Sequence, residues 1–487
     1  MIKVMIKTIN IEPFARVEGD LKIKIDVKDN VVTDAKVSGI MFRGFEKMLK
    51  NHPPEDILVY LPRICGICSV SHSVAAAKAL ASISEDFEKP INGYLATNLA
   101  HATENVMSHI TQFYMYFAPD LVNDRYKKFS IFKILEKRLS QFHGESVKKI
   151  MAERKRFLEI IGLICGKWPH SLAIQPGGIT KHLTSSDIFR IIGTLSSFKH
   201  TLEECLFGLT IENFLKIRTV SDFKIAFDQR SGNKADLAIF YQFSELADFF
   251  NLGKGPGKLL SGGCYNEGNG NLFLKSGYWD GIHEVFDPSK ITELTTYSFF
   301  KDEQTFSPVD STSIPDLGKD KAYSWSKAPR YNDNVVEVGA LARGVISKDF
   351  LLCDFFSQFG STVFTRLFAR LHETAKLIDA MQKWTNMIDP AGKFYIKNNL
   401  KKDCKGFGIV EAARGFLGHW ISVKDGKIAN LQVITPTAWN ASPMDDKGRP
   451  GPIESSLIKT KLADENKPLE TEHIIRSFDP CLVCTVH

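Results

Sequence analysis

The sequence predicts an α+β fold, mainly α: one large body with a core of long helices, β-strands at its periphery, and a site joined from both chain ends. Three observations carry this. A chain of 487 residues with 44% hydrophobic and 24% charged residues can bury a large core and has an average globular composition. Its middle repeats apolar residues at helical spacing, whereas residues 9–45 alternate apolar and polar residues as strands do. Two closely spaced cysteine pairs lie at opposite ends of the chain.

The elements follow in order. In the strand-rich part, residues 1–50, Leu21, Ile23, Ile25 and Val27 alternate with polar residues, and Lys28-Asp29-Asn30 supplies a turn, which predicts a hairpin or meander. A helical core spans 54–216 and resumes over 345–400. Pro90–Phe117 and about Phe129–Ile164 read as long helices with Pro119 and Pro169 as breakers, and Ser185–Lys216 as a third. Residues 219–330 read as a loop- and strand-rich insertion, punctuated by Gly253-Lys-Gly-Pro-Gly257 and Ser261-Gly-Gly263. Over Ser361–Asp389, Phe364, Leu367, Phe368, Leu371, Ala375, Ile378 and Met381 form one apolar stripe. In the C-terminal metal-binding segment, 403–487, residues 406–435 read as turns and strands, and the last thirty as a helix ending in an exposed tail. No repeat, low-complexity tract or isolating linker divides the chain, so residues 1–487 read as one domain.

Composition excludes several classes. No apolar run approaches the about 18 residues of a membrane span. Basic residues exceed acidic ones by 62 − 56 = 6, with no basic stripe, which argues against nucleic acid. Nine cysteines, an odd number in a long chain, argue against a disulfide scaffold and for a reducing compartment. The stretch Met1–Pro13 has no continuous apolar core and is not a signal peptide, so a cytoplasmic location is expected, with any membrane association made through partners. No nucleotide-binding fingerprint is present.

The chemistry lies in Cys65-Gly-Ile-Cys68, inside Arg63-Ile-Cys-Gly-Ile-Cys-Ser-Val-Ser-His72, and in Cys481-Leu-Val-Cys484, inside Asp479-Pro-Cys-Leu-Val-Cys-Thr-Val-His487. Two residues between cysteines let both sulfurs face one metal, and four thiolates suit zinc, iron–sulfur, nickel or copper(I). A structural zinc site is one reading. Against it, 412 residues separate Cys68 from Cys481, and a histidine follows each pair closely. The remaining five, Cys165, Cys205, Cys264, Cys353 and Cys404, read as buried thiols.

With these motifs the chain resembles the large, catalytic subunit of nickel–iron hydrogenases. The family's signatures, Arg-x-Cys-Gly-x-Cys-x-x-x-His and Asp-Pro-Cys-x-x-Cys-x-x-His, are both complete. The resemblance extends to Arg16-Val-Glu-Gly19, Arg43-Gly-Phe-Glu46, Gly166-Lys-Trp-Pro-His170, Gln175-Pro-Gly-Gly178, Ala413-Arg-Gly-Phe-Leu-Gly-His-Trp420 and Pro436-Thr-Ala-Trp-Asn440. The related respiratory complex I subunit lacks the four cysteines.

The resemblance implies a reaction and roles. The reaction is reversible heterolytic cleavage of dihydrogen at a nickel–iron centre whose iron carries two cyanides and one carbon monoxide. Cys65, Cys68, Cys481 and Cys484 would hold nickel, with Cys68 and Cys484 also bridging to iron and Cys481 accepting the proton. Glu18 would be the first proton relay; its alternative is a strand-end glutamate paired with Arg16. Arg414, held by Asp479, would stand over the open metal position; its alternative is a surface arginine. The family usually has proline before this arginine, and Ala413 stands here. Thr437 would donate to a cyanide and His72 to a bridging sulfur. Glu46, His487 and the Val433 carbonyl would hold Mg²⁺; the alternative for Glu46 is a helix-start or exposed glutamate.

No iron–sulfur motif remains once four cysteines are assigned, so the resemblance implies a small subunit that carries those clusters. Local phrases look closest to the cytosolic uptake and dihydrogen-sensing branch. Ser108 precedes His109 where respiratory uptake enzymes place an aspartate. Ile67 and Tyr116 match the bulky gas-channel residues of sensors, and the chain ends at His487 as sensors do. In a sensor the further partner would be a signalling kinase.

Overall fold

The computed structural model describes residues 6–228, 232, 234–302 and 307–487. The first five residues of the amino-terminal stretch, and residues 229–231, 233 and 303–306 of the 219–330 segment, lie outside the described residues. Helix makes up 43% of the chain and strand 19%, within one body, so helix dominates as expected.

The amino-terminal alternation forms an antiparallel sheet of β1 (Lys7–Ile11), β2 (Leu21–Lys28) and β3 (Val31–Gly39). Leu21, Ile23, Ile25 and Val27 all point into the core. Asp29 and Asn30 take positive φ, 53° and 60°, the pair of left-handed residues that a two-residue hairpin needs.

Helix α1 (Ser69–Ser82) follows the first cysteine pair, and α2 (Ile91–Thr111) runs on through a wider helical turn to Phe117. The single helix expected over Phe129–Ile164 is three: α3 (Phe132–Leu139), α4 (Glu145–Phe157) and α5 (Glu159–Cys165). The chain turns sharply at Gly144, where a Cβ would lie 2.3 Å from the Arg138 carbonyl oxygen. Likewise α6 (Ser185–Leu202), started by the Thr184–Asp187 capping box, does not reach Lys216. Gly208, at φ 65°, stops it in the left-handed conformation typical of helix ends.

The segment expected to be loop- and strand-rich opens with two helices, α7 (Val220–Phe227) and α8 (Asp236–Leu246). Its aromatics Phe223, Phe227, Phe240 and Phe243 fill the core from helices rather than strands. Strands β4 (Leu259–Asn266) and β5 (Leu272–Trp279) come after them. The apolar stripe of Ser361–Asp389 lies on α9 (Val363–Met387), which packs along α2 as the spine of the molecule. Residues 404–434 form an antiparallel sheet, β6 (Cys404–Ala412), β7 (Gly415–Lys424) and β8 (Lys427–Ile434). Strand β6 lies directly on α1, because Gly406 and Gly408 have no side chain; a Cβ on Gly408 would sit 2.0 Å from the Ala75 carbonyl oxygen.

The last helix, α10 (Leu469–Phe478), is as expected, but the tail after it is not exposed. Residues 479–487 are buried except for a half-buried Val483. Their apolar side chains complete the core, and their backbone pairs with the other end of the chain. Leu482 N–H donates to the Glu18 carbonyl at 2.7 Å, and Arg43 N–H to the Val486 carbonyl at 3.1 Å. Of the five other cysteines, Cys165, Cys205 and Cys264 are buried as expected, whereas Cys353 and Cys404 are only half-buried. None of the nine forms a disulfide. Among the described residues no helix is long and apolar enough to cross a membrane.

Candidate metal centre

The fold brings the two cysteine pairs together. Cys68 Sγ lies 3.0 Å from Cys484 Sγ, Cys65 Sγ 3.6 Å from Cys481 Sγ, and Cys481 Sγ 3.2 Å from Cys484 Sγ. Cys65, Cys68 and Cys484 present their sulfurs within 4.8 Å of one another. All four side chains are buried. Disulfides need about 2.05 Å between sulfurs, whereas sulfurs bound to one ion at about 2.3 Å stand about 3.3–3.8 Å apart. The spacing therefore suits a shared metal and needs only small adjustments. Hydrogen bonds from the Cys481, Cys484 and Cys68 thiols hold the Cys65 thiol well below its ordinary pKa, which favours a thiolate there. Cys68 is pushed up by its hydrogen bond to Cys481, and Cys484 by burial.

Local structure presents each pair. Cys68 immediately precedes α1, and no side chain of that turn caps the helix. The cap comes from α2: the Glu104 carboxylate accepts from the N–H groups of Val70 (2.7 Å) and Ser71 (2.8 Å). It also accepts from the Ser71 hydroxyl (2.8 Å) and Trp168 Nε1 (3.1 Å). A carboxylate there satisfies orphan donors and the positive end of the helix dipole. At the other pair, Asp479 ends α10 at φ 54° and turns the chain alongside Glu18, whose N–H donates to the Pro480 carbonyl at 3.4 Å. Arg43 joins the two loops, since its Nη2 donates to the carbonyls of Ile64 (2.6 Å) and Val483.

The other expected residues surround the sulfurs. Arg414, at the β6–β7 turn, is buried, so it is not a surface arginine. Its Nε donates to the Asp479 carbonyl at 2.8 Å and its Nη2 to Asp479 Oδ1 at 3.1 Å. Arg414 Nη1 and Asp479 Oδ2 are buried with no hydrogen-bond partner among the described residues. Burial opposes its charge, but Asp479 and the cysteines outweigh it and hold the guanidinium above its ordinary pKa. Arg343 restrains this turn, donating to the carbonyls of Ala412 (2.9 Å) and Ala413 (3.2 Å). Arg343 is itself fixed by Glu373 and Glu411.

Thr437 Oγ1 accepts from the Cys481 N–H at 2.9 Å. His72 Nε2 lies 3.8 Å from Cys484 Sγ, and its Nδ1 lies 3.1 Å from His419 Nε2. Burial lowers the His72 pKa to about 4, so the ring is neutral. Glu18 is half-buried and does not pair with Arg16, which bonds the Tyr116 carbonyl and Asp120 instead. Burial, then the charge of Cys65, raises the Glu18 pKa.

Glu46 lies in the first turn of a short helix, as its alternative reading had it, yet it is buried. Its Oε1 lies 3.3 Å from His487 Nε2 and accepts from Val433 N–H at 2.8 Å. Burial opposes its ionisation, but His487, Lys327 and Ser313 outweigh this and lower its pKa. Both backbone polar groups of a strand residue face one side, so the Val433 carbonyl shares the Glu46 side of β8. A cavity of about 20 Å³ lies among Glu46, Glu293, Ser313, Lys327, Val433 and His487, room for one ion-sized body. A carboxylate, an imidazole and a carbonyl there fit a hard cation.

Sequence reasoning missed Glu104 and Arg343, and quoted Arg43, Gly166–His170 and His419 without roles. Glu104 stands 34 residues from the amide it caps, with no spacing motif to mark it.

A family model described as nickel-dependent hydrogenase matches residues 43–134 and 146–487. The periplasmic [NiFeSe] hydrogenase large subunit of Desulfomicrobium baculatum is 31% identical over 527 residues, covering 98% of this chain and 94% of that protein. The hydrogenase-2 large chain of Escherichia coli (strain K12) is 27% identical over 560 residues, covering 99% and 97%. A solved structure of H2-activated Dm. baculatum [NiFeSe]-hydrogenase superposes with a TM-score of 0.86 at 28% identity, covering 99% of this chain and 100% of that one. The structural-zinc reading is thereby set aside, and the chain belongs to the nickel-dependent hydrogenase family.

Proposed function

We propose that this chain is the catalytic subunit of a hydrogenase that reversibly and heterolytically cleaves dihydrogen. One observation carries the reading: four buried cysteine sulfurs, drawn from both chain ends, lie together beside a buried arginine with a free N–H. The four cysteines would hold nickel, with Cys68 and Cys484 also serving an iron that carries two cyanides and one carbon monoxide and Cys65 and Cys481 serving nickel alone. When bound, this metal pair polarises dihydrogen and accepts its electrons.

The side chains around it do the rest. The Arg414 guanidinium, oriented by Asp479, points its unpartnered Nη1 where an anionic or polarised group would sit, in a dry site where such a donor is worth most. Thr437 fixes the Cys481 backbone through its hydroxyl oxygen and keeps its O–H for a cyanide nitrogen. His72 supports the bridging Cys484 from the protein side. Cys481 takes the proton, and Glu18 carries it away. Burial suits Glu18 to this, because a carboxyl with a raised pKa exchanges protons nearer neutral pH. Glu46, His487 and the Val433 carbonyl would hold Mg²⁺, which would tie down the chain end. Electrons leave through a small subunit that carries iron–sulfur clusters. On its local phrases the chain falls with the cytosolic uptake and dihydrogen-sensing hydrogenases; high turnover with an electron acceptor would mark the uptake enzyme, and slow turnover with a regulatory partner the sensor.

The test is an infrared spectrum of anaerobically purified protein, followed by Glu18→Gln. Two cyanide bands and one carbon monoxide band are expected, with dihydrogen oxidation lost in the variant while the bands persist. Nickel-loaded protein without those bands, or a variant with unchanged turnover, would overturn the corresponding assignment.

A further inference from the structure

A second cavity, of about 460 Å³, opens between α1, α2, β4 and β6. It is distinct from the metal centre: Lys78, on its wall, lies ten residues along α1 from Cys68, about 15 Å at 1.5 Å per residue. Its volume falls within the about 300–1,000 Å³ of small-molecule sites. Much of the wall is apolar, with Val74, Ile174, Phe286 and Phe407. Lys78 and Lys89 also line it, and no aspartate or glutamate does.

Neither lysine has an ion-pair partner among the described residues. Lys78 Nζ donates to the Ile409 carbonyl. Lys89 Nζ donates to Thr97 Oγ1 at 3.1 Å and stands 4.7 Å from the centre of the Tyr94 ring. Lys78 is exposed and Lys89 half-buried on the cavity wall. Desolvation there lowers the pKa of each, Lys89 to about 7, with the charge of Lys78 further disfavouring that of Lys89 and with Cys264 and Glu411 opposing the shift of Lys78. The other titratable groups facing the cavity supply no negative charge. Burial keeps His101 neutral, pushes the Cys264 thiol up to about 12 and raises the tyrosines Tyr94 and Tyr265. Glu411, behind Cys264, is engaged by Arg343 and the Gly262 N–H. Two lysines thus share an apolar concavity in which the one nearby carboxylate, Glu411, is already engaged by Arg343, and an anion entering between them would favour the charged form of both.

We propose that this cavity binds a small anionic amphiphile, with a carboxylate head between Lys78 and Lys89 and an apolar tail against Val74, Ile174, Phe286 and Phe407. The pattern of mostly apolar lining with a few convergent polar groups is that of specific small-molecule sites. Nothing in the hydrogenase chemistry uses it.

The test is calorimetric titration of sodium decanoate into the metal-loaded complex of both subunits, with 1-decanol as the uncharged match. One decanoate per large subunit is expected, bound at least tenfold more tightly than decanol. Lys78→Gln combined with Lys89→Gln should weaken decanoate at least tenfold, leave decanol unchanged and leave dihydrogen oxidation intact. Lys78→Arg with Lys89→Arg should restore decanoate binding. No decanoate binding to the complex would overturn the proposal. So would equal affinity for decanol in the unaltered protein, a comparison that needs no variant to fold.

Discussion

Replacing Glu104 tests how the metal centre is built, because this carboxylate caps the helix that follows Cys68. In Glu104→Gln one oxygen becomes an NH2 group. At the Oε1 position the Ser71 hydroxyl can turn to accept from it, and only the Ser71 N–H loses its partner. At the Oε2 position both the Val70 N–H and Trp168 Nε1 lose theirs. The first orientation is cheaper and leaves one buried donor unsatisfied, a cost of about 1–3 kcal/mol. Glu104→Ala orphans all three N–H groups and should cost more than about 3 kcal/mol. The first turn of α1 then frays, and Cys68 loses its fixed position. Urea unfolding of the purified complex, with nickel content measured on the same samples, reads both effects. The expected order is wild type, Gln, then Ala in stability and in retained nickel. An Ala variant within about 0.5 kcal/mol of wild type, the range of ordinary surface changes, and with full nickel would refute the reasoning.

Three further outcomes are expected. Thr437→Val removes the acceptor of the Cys481 N–H and should loosen that ligand at a cost of about 1–3 kcal/mol; faster nickel loss to a chelator than in Thr437→Ser is the measurement. Burial opposes ionisation of Asp120, but His473 at 3.6 Å, Arg476 at 2.5 Å and Arg16 hold its pKa below the usual carboxylate range. A depressed folded-state pKa gives stability that is present above the unfolded value near 3.8 and lost as pH falls below it. Asp120→Asn should therefore flatten the loss of stability between about pH 5 and pH 3, read by unfolding at each pH. Gly408→Ala would push a methyl to 2.0 Å from the Ala75 carbonyl oxygen and 2.4 Å from the Ala79 nitrogen, at a cost of about 1–3 kcal/mol. Gly193→Ala, where nothing lies within 4 Å on α6, should instead gain up to about 1 kcal/mol. Equal unfolding midpoints for these two glycine variants would contradict the packing described for β6 on α1.

The features legible in the sequence were those written in short-range spacing. The alternation of Leu21 to Val27, the stripe of α9 and the two cysteine pairs each repeat within a few residues. The breaks at Gly144 and Gly208 were less visible, because one glycine within a helical pattern can be tolerated as well as terminal. The helices α7 and α8 were misread since buried aromatics suit either strand or helix. The terminal segment Cys481–His487 reads as a tail only if its backbone partner Glu18, at the other end of the chain, is ignored. Among the expected site residues, the four cysteines of the two signatures are written in local spacing, and the fold brings them together. Glu104 and Arg343 are not so written, because each acts through one contact with a distant segment and leaves no local pattern.

The pairing of chain ends also sets how this protein folds. Each facing pair, Cys65 with Cys481 and Cys68 with Cys484, is 416 residues apart in sequence. Closing a flexible loop of that length costs about 5 kcal/mol in chain entropy by the (3/2)RT ln n relation. Contacts of such long range are late events in folding, so most of the helical core can assemble before the cysteines meet. An ion held by both pairs then acts as a cross-link across nearly the whole chain. It removes that entropy from the unfolded ensemble as a disulfide would, and unfolding must either release the ion or leave a closed ring.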